Sequence, residues 1–177
     1  MNRIHIVGRK NHGKTQLVVE LVAEFSARGL RVGTIKHTHH RHELDTPGKD
    51  SHRHRTAGAA AVGVLSPSMS AIFLPAEQYG TAADDRYAAL APLLGRCHLV
   101  LVEGDSATTA PKIEVWRAEL DAAPMAQHDD SILAVVSDDR VDVATCVLPR
   151  FDVVDLANWI LREVLRLPAH PHAPLQE

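Results

Sequence analysis

Apolar and polar positions alternate in a way that divides the chain into short buried strands and amphipathic helices. Ile4, Ile6 and Val7 make an apolar run suited to a buried strand, and Leu17, Val18, Leu21, Val22 and Phe25 then recur on one helical face. That face predicts a helix over 14–28, with Gly29 as its left-handed stop. Residues 31–36 read as a second, β-branched strand, followed by a polar loop through 49 that contains Pro47-Gly48. A short helix opening at Asp50 or Ser51 and ending near Ala57-Gly58 comes next. Residues 61–65 and 70–74, separated by Pro67, form a hairpin, and a helix over 83–94 carries Tyr87, Leu90, Ala91 and Leu94 on one face. Residues 99–102 (Leu-Val-Leu-Val) are apolar without interruption, as in a strand buried on both faces of a parallel sheet. Further strands are expected at 112–116 and 132–136, with a last one at 146–148 or 151–154. A final helix over 155–167 stops at Pro168, and a disordered tail is expected over 169–177. Strands alternating with helices predict one domain over 1–168, a three-layer α/β fold with a mainly parallel sheet flanked by helices.

The loop between the first strand and the first helix carries the clearest chemistry. Gly8-Arg9-Lys10-Asn11-His12-Gly13-Lys14-Thr15 has two glycines separated by four residues, then Lys and Thr, the phosphate-binding loop pattern. Strand, loop and helix in that order let backbone N–H groups and the positive helix end surround an anion. Asn11, His12, Gly13, Lys14, Thr15 and Gln16 are therefore the candidate nucleotide-binding residues. Lys14 would reach the β- and γ-phosphates, and the Thr15 hydroxyl would bind the Mg²⁺ between them.

A nucleotide site of this kind needs an acid for the metal at the carboxyl end of a neighbouring buried strand. Glu103, directly after 99–102, fits that role, against the plainer alternative of a strand-end acid paired with a surface lysine. Lys36 ends the second strand and is either a cation for the γ-phosphate or a solvated strand-end lysine. Asp45 and Asp50 bracket a rigid turn that could bring a carboxylate to the metal, although an Asp there also serves as turn former or helix cap. Ser137-Asp138, at the end of the 132–136 strand, lies where an acid could bind the nucleotide's base, or simply forms a turn.

Composition narrows the class without changing it. A net charge of -3 argues against a general nucleic-acid-binding surface, which needs a basic face. Cys97 and Cys146 lie far apart and offer no disulfide framework, and no apolar run is long enough to span a bilayer. A cytoplasmic protein is expected, with no membrane partner. Six histidines between His37 and His54 have the density of a metal site, but their spacing matches no structural zinc pattern.

These segments resemble the MobB family, the GTP-binding adaptors of molybdopterin-guanine dinucleotide biosynthesis. The similarity is carried by the phosphate loop, by Ile35-Lys36-His37-Thr38-His39-His40, by Asp45-Thr46-Pro47-Gly48-Lys49-Asp50-Ser51 with Arg55 and Ala57-Gly58-Ala59, and by Leu101-Val102-Glu103-Gly104. The resemblance implies a homodimer that binds GTP with Mg²⁺ and hydrolyses it slowly, at most a weak GTPase acting as a switch. Its implied partners are the guanylyltransferase that attaches GMP to molybdopterin and the molybdenum insertion proteins. It also implies Lys36 as the catalytic cation and Thr15, Asp50 and Glu103 as the metal ligands. Two positions depart from the family pattern: Asp105-Ser106 replaces an aromatic and a lysine, and His12 replaces a small residue, so that its side chain must turn outward or donate to the nucleotide. A metallochaperone-like GTPase using the His37–His42 loop is the alternative expectation, and a nucleotide-dependent kinase or ligase ranks below it.

Overall fold

Leu99, Val100, Leu101 and Val102 are each fully buried, which only the middle of a sheet covered on both faces can provide. In the computed structural model, which describes residues 1–40, 43–75 and 83–167 (for 83–85 the backbone alone), they belong to strand β5, Leu99–Glu103. The other strands of its sheet are β1 (Arg3–Val7), β2 (Val32–Lys36), β6 (Lys112–Val115), β7 (Ile132–Val136) and β8 (Cys146–Leu148). Their order is β2-β5-β1-β6-β7-β8 and every pairing is parallel. All six carboxyl ends therefore open on one edge. Register fixes who meets whom there: Lys36 lies opposite Glu103, and Ile6 opposite both Glu103 and Ile113.

Helix α1 (Lys14–Ala27) covers this sheet with Leu17, Val18, Leu21 and Phe25, the face its periodicity predicts. It shares the core with α4 (Val153–Trp159), whose buried Leu156 and Ala157 join Ile4, Ile6, Leu101 and Ile113. The last helix differs from expectation at both ends. Asp152 accepts the Asp155 N–H at 2.9 Å as a cap, so the helix begins before Asp155. From Ile160 to Val164 it widens into a π-turn, which puts Leu161 rather than Val164 fully into the core.

The chain divides into two compact units, residues Met1–Thr38 with Leu93–Glu177, and His39–Pro92. The second unit holds α2 (Asp50–Thr56), the antiparallel hairpin of β3 (Val62–Leu65) and β4 (Ser70–Phe73), and most of α3 (Ala83–Leu94). The tail expected over 169–177 lies outside the described residues.

Candidate functional site

The glycine loop emerges from β1 where it can approach β6 most closely. A Cβ on Gly8 would lie 2.4 Å from the Val115 carbonyl oxygen, and its φ of 133° suits no other residue, so a side chain is excluded twice. Gly13, at φ 93°, ends the loop and precedes α1. Between them Asn11 takes a left-handed conformation at φ 68°. The result is a tight arch set at the amino end of a 14-residue helix, the arrangement that presents N–H groups to an anion.

Three expected site residues come together on this edge. Thr15 Oγ1 donates to Glu103 Oε1 at 2.7 Å, and Lys36 Nζ lies 3.4 Å from the same oxygen. Lys14 turns back over its own loop and donates to the Arg9 carbonyl at 2.7 Å. Burial lowers the Lys14 pKa from its ordinary 10.5; Glu103 works against that shift and Lys36 adds to it. The Glu103 side chain is 14% exposed and that of Lys36 69%, so the carboxylate is held at the sheet edge while the lysine reaches out from it.

Thr15 and Glu103 suit Mg²⁺. The ion prefers hard oxygen donors, takes few from the protein, and completes its shell with phosphate and water. A hydroxyl and a carboxylate already within hydrogen-bonding distance supply such a pair, beside two lysines able to balance phosphate charge. Asp50, the remaining expected ligand, lies in the second unit as the first residue of α2, with its carboxylate 90% exposed and 3.8 Å from Arg53. Asp45 forms the turn before it, accepting from the Thr46 N–H and the Ser51 hydroxyl at 2.8 Å each. Gln16 is exposed on α1 and donates to Glu20 at 2.8 Å. Asp138 is also exposed, and its carboxylate accepts the Phe151 N–H at 3.0 Å, tying the end of β7 to the segment before α4.

His12 is placed otherwise than expected. Its ring turns inward, 1% exposed, and Nδ1 accepts the Arg117 N–H at 3.1 Å. Since Nδ1 is the acceptor, the ring proton sits on Nε2. Burial first, then Lys14, Arg9 and Arg117, push its pKa below 6.5 and keep it neutral. The histidine thus pins the loop to the chain leaving β6, a role sequence alone did not suggest.

The turn after Glu103 is also rebuilt. Gly104 and Asp105 are left-handed at φ 93° and 59°, and His5 Nδ1 donates to the Gly104 carbonyl at 3.2 Å. Buried Lys112, from β6, donates to the Ser106 carbonyl at 2.9 Å and to Asp129 at 2.7 Å. Among the described residues, no group of three or more His, Cys, Asp or Glu side chains could hold a metal ion. His42 of the histidine loop lies outside them.

A parallel sheet, a glycine arch before a helix, and a Thr–Glu pair beside two lysines define a P-loop nucleotide-binding α/β protein. Within that class the match is to a family. The model of molybdopterin guanine dinucleotide synthesis protein B matches residues 3–138, and the chain belongs to this MobB family. It is 35% identical over 152 residues to the molybdopterin-guanine dinucleotide biosynthesis adapter protein of Escherichia coli (strain K12), covering 84% of this chain and 85% of that one. It is 30% identical over 165 residues to the corresponding adapter protein of Haemophilus influenzae, covering 88% and 85%. The crystal structure of the MobB homologue from Bacillus stearothermophilus superposes with a TM-score of 0.67 at 31% identity, over 94% of this chain and 99% of that one.

Proposed function

We propose that this protein is a GTP-binding accessory factor of molybdopterin-guanine dinucleotide synthesis, whose slow hydrolysis serves as a switch. The observation that carries the reading is the Thr15–Glu103 contact at 2.7 Å with Lys36 on the same carboxylate, set at the mouth of the glycine arch. In it, Asn11 to Gln16 hold the phosphates, mainly through backbone N–H groups and the Lys14 ammonium. Lys14 must leave the Arg9 carbonyl to do so, exchanging a neutral acceptor for an anionic one. Thr15 and Glu103 would hold Mg²⁺. When bound, the ion neutralises charge on the phosphate oxygens. Lys36 would stabilise charge developing on the γ-phosphate during hydrolysis, and Asp138 is the candidate acid for the guanine N–H groups.

The named relatives are adapter proteins of molybdopterin-guanine dinucleotide biosynthesis, and this supports the guanylyltransferase and the molybdenum insertion proteins as partners. A cytoplasmic setting fits such a role; among the described residues no helix is long and apolar enough to cross a membrane. Homodimer formation is supported by the β3–β4 hairpin. This hairpin and its turn expose Val64, Leu65, Met69 and Ile72, apolar surface that a second copy would cover. The test is the affinity of the guanylyltransferase for this protein loaded with Mg²⁺ and either a non-hydrolysable GTP analogue or GDP. A switch predicts a difference of about tenfold between the two states; equal affinities would contradict it.

A further inference from the structure

Arg117 follows β6 and has no part in the site as read from sequence. Its backbone N–H is fixed on His12 at 3.1 Å, which holds this residue against the glycine arch. Its guanidinium lies over Gly13: a Cβ built there would stand 3.1 Å from Nη2. The arch thus has an arginine beside its last glycine, next in sequence to Lys14.

Two arginines of this unit are committed to shielded partners. Arg28 is bound to Glu24 at 2.6 Å and to Asn158 at 2.7 Å, and Arg150 to Glu20 at 2.6 Å, all partly shielded. Arg117 instead meets Glu119 at 3.5 Å, with side chains 43% and 70% exposed. A pair so long and so wet contributes little and exchanges readily. Arg9, Lys14 and Arg117 also act together on His12, each disfavouring a charge on its ring. Cations gathered at one point repel one another unless an anion joins them.

Building on the proposed nucleotide site, we infer that Arg117 is a phosphate-binding residue: its guanidinium leaves Glu119 and donates to the phosphate chain of the nucleoside triphosphate seated over Gly13 and Lys14. An arginine suits this position because it stays charged at every working pH and presents paired N–H donors to phosphate oxygens. The β6 end thereby contributes to the same phosphates as the β1 loop.

The experiment is equilibrium binding of GTP with Mg²⁺ to the wild-type protein and to Arg117→Ala, Arg117→Lys and Glu119→Gln, with thermal unfolding of each in the absence of nucleotide. Arg117→Ala keeps the backbone N–H that His12 accepts, so the arch retains its anchor. Affinity should fall about ten- to a hundredfold in Arg117→Ala, recover in part in Arg117→Lys, and hold or rise in Glu119→Gln, with unfolding temperatures little changed. Wild-type affinity in Arg117→Ala would overturn the inference while leaving the nucleotide site intact. An equal loss in Glu119→Gln would also overturn it, since the pair would then be holding the loop's fold. Absence of GTP binding by the wild type would overturn the nucleotide reading, and this inference with it.

Discussion

His12 shows how one side chain can belong to the fold while sitting inside a functional loop. The pattern of a phosphate loop leaves the residue before its second glycine free, and by that pattern a large ring there must turn outward or donate to the nucleotide. The structure resolves this by turning the ring under the loop, where it accepts the Arg117 N–H. Its pKa is lowered, so below 6.5 the unfolded chain takes up a proton that the folded one refuses. The unfolded state then binds more protons, and stability falls as pH drops through that range. His5 and His98 are lowered as well, each chiefly by burial, and act in the same direction. Each such histidine contributes up to about 1.4 kcal/mol per pH unit to the slope. Urea unfolding between pH 7 and 5 should show this loss. In His12→Asn, which keeps an acceptor for Arg117 without a titrating ring, the slope should be shallower. An unchanged slope would show that His12 is not held neutral.

At the scale of elements, most of the fold was legible because the sequence patterns are strong and local. The uninterrupted run at 99–102 could only be a central strand, and the periodicities of Leu17 to Phe25 named the buried face of α1. The limits of the last helix were not legible, since its π-turn alters which residues face the core without any Pro or Gly to mark it. The site divided along the same line. Lys36 and Glu103 follow from their places at strand ends, which a parallel sheet brings to one edge, and Lys14 and Thr15 from the glycine-loop pattern that opens α1. Arg117, Lys112 and Glu114 act through contacts with segments distant along the chain, and no spacing announces those. Glu114, buried on β6, accepts the Met125 and Ala126 N–H groups at 2.8 and 2.9 Å; burial raises its pKa and these donors oppose the rise. Lys112, whose side chain is 3% exposed, joins Asp129 to the turn after Glu103. Asp129→Ala would leave a buried ammonium facing only the Ser106 carbonyl. The expected cost is about 3 kcal/mol of stability by chemical denaturation. A loss near zero would show that Lys112 finds water or another partner.

Across the whole first unit, the parallel order β2-β5-β1-β6-β7-β8 does the assembling. It sets the glycine arch of β1 between the Glu103 end of β5 and the Arg117 end of β6, so that acid, hydroxyl and cations meet although they are far apart in sequence. Membership of the MobB family and the likeness to its crystal structures agree with that layout. The proposed switch requires this edge to hold a nucleotide through Mg²⁺. Calorimetric titration of GTP, with and without Mg²⁺, into the wild-type protein and Glu103→Ala tests it most directly. The prediction is one site per chain, about tenfold tighter with Mg²⁺ for the wild type, and no Mg²⁺ enhancement for Glu103→Ala. Binding that Mg²⁺ strengthens equally in both proteins, or no GTP binding by the wild type, would contradict it.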